Sequence, residues 1–273
     1  IGAIIGLISS LLVAWTGDSS AYLVAQTQPM KLAAMEGYYD GQQGAPLVAA
    51  GLLNPDKKSY NDNIYPFIVD VKMPKVLSFR DLNGYVPGIK NIIEGGYKLK
   101  DGSTAVSAAD KIAMGKTAIS ALAAYRAAMK AGNKEDAMFC REILKNNIQY
   151  FGYGYIKNVN QLIPNVMLTF YAFRIMVILG GYFILFFALI LFMSYRKNLS
   201  EIKWMHWVAL LTIPLGYIAG QAGWVVAEVG RQPWAIQDML PTSASISKLD
   251  VGSVQTTFFI FLLLFTVMLI AER

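Results

Sequence analysis

The sequence has little cysteine, little histidine and little charge: one residue of each of the first two, and 15% charged residues among 273. The single cysteine, Cys140, excludes an internal disulfide and is by default a small packed residue, so it carries little information on compartment. No basic segment precedes the first apolar run, so we do not expect this run to be a signal peptide. The net charge of +6 is spread along the polar middle of the chain, which excludes the basic patch of a nucleic-acid-binding protein.

What the sequence has in quantity is apolar residues. They make up 55% of the chain, and the mean hydropathy is +0.41, which for this length indicates several bilayer spans rather than a soluble core. The chain opens on Ile1, without an initiator Met, inside an apolar run and stops at Arg273 directly after another. We therefore expect a piece of a longer protein.

Four apolar runs predict an all-α integral membrane protein, a bundle of transmembrane helices with a large extracytoplasmic loop domain. A polar insert without any run long enough to span separates the first two, and no repeat or low-complexity tract marks it as a linker. The predicted spans are 1–18, 163–194, 204–230 and 251–273, the first and last truncated; the segments between them are 19–162, 195–203 and 231–250. Within the insert we predict helices over 24–39, 108–130 and 135–150 and a strand over 64–71.

Basic residues near the short loop 195–203 predict the orientation. Arg196, Lys197 and Lys203 crowd this loop, and the positive-inside rule places such a loop in the cytoplasm. Long loops do not count in that rule, so the lysines of the insert do not reverse it. The insert and the end of the third span are then both expected at the outer face.

Charged residues lie where lipid should exclude them. Arg174 is roughly ten residues, or about 15 Å, inside its apolar run, so we expect a buried anionic partner; snorkelling to the interface is the alternative. Trp224, Glu228 and Arg231 fall at i, i+4 and i+7, on one stripe of a helix that Pro233 is expected to end. Their alternative is a helix end at the headgroups beside an interfacial tryptophan.

Three sequence blocks carry a resemblance to a known family. They are QPMKLAAMEG at 28–37, AFRIMV at 172–177, and GWVVAEVGRQPWAI at 223–236 followed by LPT. In this order they resemble subunit I of the cytochrome bd family of quinol oxidases. The resemblance covers essentially the whole chain, but only the second half of the family's subunit, and the interior of the insert matches too weakly to identify the quinone.

The resemblance implies an oxidase in the bacterial cytoplasmic membrane. Such an enzyme oxidises membrane quinol at the outer, periplasmic face and passes electrons through a low-spin haem b, a high-spin haem b and haem d to oxygen. Protons for water come from the cytoplasm, so a proton gradient forms without pumping. The implied partners are a second subunit, subunit II, and the N-terminal helices of subunit I.

The resemblance also implies roles for residues near the haems. Met176 would be the thioether ligand of the low-spin haem b, although on sequence alone it is a core methionine. Arg174 is associated with haem in the family, but residues i and i+2 point to nearly opposite helix faces, so we expect it to reach a propionate or a neighbouring charge. Glu228 would lie beside the high-spin haem b and ligate its iron, with Arg231 and Trp224 lining the same cluster.

Lys31 and Glu36 are the implied quinol-binding residues, as donor and proton acceptor for the ring hydroxyls; the alternative is a solvated surface pair. Asp18 is a weaker candidate for proton release, with a helix cap as the alternative. His206, the only histidine, is expected at the cytoplasmic interface and not on a haem. The family's histidine ligands have no counterpart here, so this chain alone does not hold the haem d iron in the family's manner.

Two other classes of function remain open from the residues alone. A transporter or channel could use Arg174 and Glu228 to bind a solute, with the insert as an extracellular lid. A structural subunit without haem could retain the same fold.

Overall fold

Four long apolar helices dominate the structure. The computed structural model describes residues 1–45, 48–51, 53, 69–70, 84–99, 101–196 and 202–272. In these ranges, the helices long and apolar enough to cross a membrane are α1 (Gly2–Thr27), α6 (Val166–Arg196), α7 (Lys203–Gly230) and α8 (Val251–Ala271). Each exceeds the roughly 20 residues that a bilayer requires. The predicted fold class, a helical membrane protein, is confirmed.

The first helix is longer than the sequence predicted. The expectation that it closes at Gly17 and Asp18 is wrong, because α1 continues to Thr27. Asp18 therefore lies inside the helix, and the helix-cap alternative for it is wrong as well. Where the membrane boundary falls along α1 stays a prediction.

Proline divides the helix that we predicted over 24–39. Gln28 has φ −135° and ψ 61°, and a new helix, α2 (Pro29–Glu36), begins with proline in its first turn. Proline disfavours helical geometry in the residue before it but is compatible with a first helical position, so one helix becomes two. Gly37 ends α2 in the left-handed conformation, with φ 72°.

The loop domain, by which we mean the chain between α1 and α6, is mainly helical where it is described. Ser107 and Asn133 cap its two long helices by accepting a hydrogen bond from a first-turn N–H. The predicted helix over 135–150 is wrong in its last turn, where α-helix gives way to a 3₁₀ segment, Ile148–Tyr155. The helices are α3 (Ile89–Glu94), α4 (Ala108–Ala131) and α5 (Lys134–Asn147), and a second 3₁₀ turn is Val159–Leu162.

Short antiparallel strand pairs complete the described parts. Of the strand predicted over 64–71, only Val69–Asp70 is strand within the described residues, and the rest lies outside them. The pairs are β1 (Gln42–Gln43) with β4 (Tyr85–Val86), β2 (Val48–Ala50) with β3 (Val69–Asp70), and β5 (Trp234–Ile236) with β6 (Leu240–Pro241).

The core lies where the loop domain meets the ends of α6 and α7. One buried cluster joins α2, α3 and α4 to the start of α6, and a second joins α1 and α2 to α6 and α7. Helix α2 contributes to both, because five of its eight residues are buried. By contrast, α8 has no buried residue in the described structure. The fold thus places α2 between the membrane helices and the loop domain.

Candidate functional site

A buried ion pair joins the loop domain to the membrane helices. Nη2 of Arg174 lies 2.8 Å from Oε2 of Glu36, and Nη1 donates to the carbonyl of Met35 at 3.3 Å. Glu36 is 3% exposed and Arg174 is 8% exposed, so both charges are removed from water. The expected anionic partner of Arg174 is therefore a residue of this chain, and the surface alternative for Glu36 is wrong.

Aromatic rings enclose the guanidinium of Arg174. Its Cζ lies 4.5 Å from the ring centre of Phe170 and 5.2 Å from that of Phe173, distances at which cation–π attraction operates. The third nitrogen, Nε, is buried and has no hydrogen-bond partner among the described residues. An unpaired buried donor costs free energy, so an acceptor atom that bonded to Nε would stabilise the site.

Burial governs the acidity of Glu36. It raises the pKa of the Glu36 carboxyl, whereas the charge and hydrogen bond of Arg174 act in the opposite direction. A carboxyl group in this setting is more ready to take up a proton than one in water. This is the property that a proton acceptor for a weakly acidic substrate requires.

The other end of α2 reaches a second charged group. Nζ of Lys31 donates to the carbonyl of Ala227, at 3.4 Å, near the end of α7. Burial and the neighbouring Arg231 lower the pKa of Lys31, and Glu228 acts against them. Gly230 leaves the space for this approach, because a Cβ there would lie 3.1 Å from Cγ of Lys31.

Glu228 and Arg231 form an ion pair on a more open surface. Nη2 of Arg231 lies 2.6 Å from Oε2 of Glu228, with the two side chains 43% and 36% exposed. Helix α7 ends at Gly230, three residues before Pro233. Arg231 is therefore the residue that caps the C-terminus of α7, and it does not continue the helical face of Trp224 and Glu228 as predicted. Trp224, one turn before Glu228, is 65% exposed. This face of α7 could accept a large planar group.

The side chains of Arg174 and Met176 point to different neighbours, as their spacing predicts. Whereas Arg174 meets Glu36 of α2, Sδ of Met176 faces α7, where a Cβ on Gly223 would lie 3.1 Å from it. The glycine thus leaves space for the thioether between α6 and α7. Thioether sulfur is a known axial haem ligand, and Nε of Arg174, which has no partner among the described residues, is a donor for an acceptor oxygen.

Asp18 lies on α1, and His206 lies near the start of α7. Oδ1 of Asp18 is buried on α1 without a partner among the described residues. His206 is in the first turns of α7 and accepts or donates a bond at 3.1 Å with the carbonyl of Ile202. His206 is exposed, and because it is 22 positions before Glu228, the two lie about 33 Å apart along the helix axis.

Several contributors to the site were not predicted. Phe170 and Phe173 carried no sequence signal except their spacing of four and one residues from Arg174. The carbonyl oxygens of Met35 and Ala227 could not have been found, since every residue has one. The pairing of Lys31 with the end of α7 also went unpredicted: the sequence suggested that Lys31 and Glu36 serve one site, and the fold directs them to different helices.

These features define a helical membrane protein with two charged groups at one end of its bundle, bridged by α2. A sequence model of the family described as cytochrome bd terminal oxidase subunit I matches residues 1–273. The chain belongs to this family. The resemblance noted in the three sequence blocks is therefore confirmed.

Individual relatives agree with the family. The chain is 32% identical to cytochrome bd-II ubiquinol oxidase subunit 1 of Escherichia coli (strain K12), over all of the chain and 52% of that protein. It is 26% identical to cytochrome bd ubiquinol oxidase subunit 1 of Bacillus subtilis (strain 168), over 89% of the chain and 39% of the relative. The chain spans about half the length of the curated relatives it matches, or less.

A solved structure shares the fold. The bd oxidase from Geobacillus thermodenitrificans superposes with a TM-score of 0.55 at 22% identity, covering 97% of this chain and 44% of that chain. The sequence and the structure comparisons both align this chain with roughly half of the matched protein or less.

Proposed function

We propose that this chain forms part of a terminal oxidase that takes electrons from a membrane quinol and passes them to oxygen. Family membership supports this activity, and two relatives bear the name ubiquinol oxidase. The observation that carries the proposal is the buried Glu36–Arg174 pair, because it couples a proton-accepting group of the loop domain to a membrane helix two residues from Met176.

Quinol oxidation must remove two protons together with two electrons, so a base is needed at the ring hydroxyls. In the proposal Glu36 accepts a proton, since burial makes its carboxyl a better acceptor than one in water. Arg174 holds Glu36 in place and donates from Nε to an acceptor oxygen. Lys31, at the other end of α2, is the proposed donor to the quinol or its neighbour, and Asp18 is a proposed route for proton release.

The residues on α6 and α7 fit the haems that the family implies. Haem, when bound, supplies one-electron transfer and oxygen chemistry that side chains do not. Met176 is the proposed ligand of a low-spin haem b, and Glu228 of a high-spin haem b. Arg231 balances the charge of Glu228, and Trp224 offers an exposed ring for packing against a porphyrin. Haem d, in the proposal, takes its ligands from outside this chain.

The proposed assembly extends beyond the chain. It includes subunit II and the N-terminal helices of subunit I, in a bacterial cytoplasmic membrane with the loop domain at the outer face. Protons released by quinol outside and consumed with oxygen inside would separate charge without a pump.

Replacing Met176 tests the proposal. In the complete oxidase, Met176→Leu keeps an apolar side chain of similar volume but removes the sulfur, so the reduced-minus-oxidised spectrum should lose the low-spin haem b band. Quinol oxidation should fall by at least about tenfold, since ligand and supporting-shell changes typically cost 10–100-fold. The matched control is Met138→Leu, an exposed methionine of α5, which should change neither. A wild-type complex without haem bands would overturn the oxidase proposal.

A further inference from the structure

A hairpin directly follows the Glu228/Arg231 end of α7. It consists of β5 and β6, and its turn contacts the loop domain through the hydrogen bond between Tyr153 and Asp238. Lys111 of α4, Tyr153 of the 3₁₀ segment and Asp238 of the turn meet there, and we call these three residues the clamp. None of them belongs to the charged groups described above.

Tyr153 is the centre of the clamp. Its hydroxyl donates to Oδ1 of Asp238 at 2.5 Å, and its ring meets Trp234 edge to face, with centroids 4.8 Å apart. Tyr153 and Trp234 are 8% and 5% exposed, so the contact is nearly dry. A hydrogen bond from a phenol to a carboxylate is among the stronger kinds, particularly away from water.

Lys111 places a positive charge beside this bond. Its Nζ lies 5.5 Å from the ring centre of Tyr153. Burial lowers the pKa of Lys111 and the charge of Asp238 raises it, so the ammonium and the carboxylate influence each other across the ring. The charge of Asp238 is thus partly balanced by a loop-domain residue.

Backbone contacts make the fit between turn and loop domain close. A Cβ at Gly152 would lie 2.6 Å from the carbonyl oxygens of Asp238 and Met239, so only glycine allows this approach. Asp238 itself has φ 59°, a left-handed conformation that is uncommon outside glycine but that aspartate adopts more readily than most residues. Its side chain gains the Tyr153 and Gln237 bonds in that conformation.

The hairpin is in turn tied to the end of α7. Thr242 donates through its backbone N and its hydroxyl to the carbonyl of Pro233, at 2.8 and 3.0 Å. Trp234 N donates to the carbonyl of Arg231 at 2.9 Å, and the Gln232 side chain donates to that of Glu228 at 3.4 Å. A continuous set of contacts therefore leads from Tyr153 to the Glu228/Arg231 pair.

We propose that Lys111, Tyr153 and Asp238 are positioning residues, through which the loop domain holds the hairpin and thereby sets the geometry of Arg231 and Glu228. The clamp acts on the α7 group through the hairpin. The Glu36–Arg174 pair has its own contacts between α2 and α6, beside the buried cluster that Tyr153 and Trp234 share with Phe170. A displacement of about 1 Å at a reacting group can cost up to a hundredfold in rate. The catalytic part of this proposal rests on the proposed oxidase function.

The test uses the complete oxidase and the variants Tyr153→Phe and Lys111→Met. Tyr153→Phe removes one oxygen atom and keeps the ring against Trp234. We expect kcat for quinol oxidation to fall about tenfold and KM to change less, because α6 holds Glu36 and only Lys31, through the carbonyl of Ala227, contacts the end of α7. The visible band of the haem beside Glu228 should shift. Tyr155→Phe, an exposed tyrosine two residues on, is the matched control and should leave all three unchanged.

Hydrogen exchange tests the clamp independently of activity. In Tyr153→Phe the amides of Trp234 and Thr242 should exchange at least tenfold faster, while those of α4 and α5 keep their protection. Unchanged exchange at these two amides would overturn the clamp whatever the activity does. Faster exchange with unchanged kcat and spectrum would overturn the positioning role. A wild type that does not oxidise quinol would refute the proposed function alone, since the exchange result would stand. If Tyr153→Phe fails to assemble, Lys111→Met provides the same comparison.

Discussion

In the Glu36–Arg174 pair, the burial of each charge depends on the presence of the other. Two buried charges are tolerated only as a pair, because each offsets part of the cost of removing the other from water. Nε of Arg174 has no hydrogen-bond partner in the part of the chain that the structure describes, so it is a donor for a ligand. The two charged side chains that join α2 to α6 are therefore also the groups to which the proposal assigns chemistry.

Removing one charge of this pair should destabilise the fold more than removing both. Arg174→Met leaves Glu36 buried without a partner and should destabilise the fold by about 3–5 kcal/mol, whereas the double variant Arg174→Met with Glu36→Leu should recover much of the loss. Unfolding midpoints of the purified complex in detergent measure both. Arg231→Met, which breaks the exposed pair, should cost less than about 1 kcal/mol. A double variant no more stable than Arg174→Met would contradict this account.

Tyr153 should make stability depend on alkaline pH. Burial and Asp238 raise the pKa of Tyr153 in the folded state above its ordinary value of about 10. A group with a raised folded pKa contributes stability that is fully present below its unfolded pKa and is lost as the pH rises beyond it. The difference in Tm between wild type and Tyr153→Phe should therefore be constant up to about pH 9 and shrink above pH 10. A difference that grew with pH would have the wrong sign.

At the scale of elements, apolar runs predicted the long helices but not their ends. Helix α1 continues beyond the apolar run, through the polar residues at 16–20. The hydrogen bonds from each backbone N–H to the carbonyl four residues earlier form whether or not the side chain is apolar. The division at Gln28 follows from Pro29 and was readable in principle. The 3₁₀ segment was not, since its course is set by packing on α4.

That packing can be tested at one glycine. A Cβ on Gly115 of α4 would lie 2.4 Å from the backbone N of Gly154 and the carbonyl oxygen of Tyr150, and backbone atoms cannot move aside as a side chain can. Gly115→Ala should separate the 3₁₀ segment from α4 and destabilise the loop domain by about 1–3 kcal/mol or more.

Protease digestion of the loop domain in the assembled complex measures the effect. The matched control is Gly180→Ala on α6, where a Cβ meets nothing within 4 Å. Equal resistance of Gly115→Ala and wild type to digestion would show that the segment does not depend on this contact.

At the scale of the whole molecule, the sequence identified candidate site residues but did not predict which of them are in contact. Arg174 was recognised as needing an anion, but Glu36 lies 138 positions away, and only the fold brings them together. Lys31 and Glu36 looked like one site because they are close in sequence. They are five positions apart on a helix, about 140° around its axis, and so face different neighbours.

The lone cysteine offers a test of the predicted orientation. Cys140 lies on α5 in the loop domain and is partly exposed. If the loop domain is outside, a membrane-impermeant maleimide should label this chain in intact spheroplasts. Tyr195→Cys in a Cys140→Ser background, at the opposite end of α6, should react only after the membrane is opened. The reverse labelling pattern would show that the loop domain lies on the cytoplasmic side.

Helix α2 also sets a limit on how this part of the protein can vary in length. It joins a lysine directed at α7 to a glutamate directed at α6, and the two are five positions apart. Inserting or deleting one residue between Lys31 and Glu36 would rotate one side chain by about 100° relative to the other and break one of the two contacts. In related chains, gaps should therefore fall outside these six positions, however much the rest of the loop domain grows or shrinks.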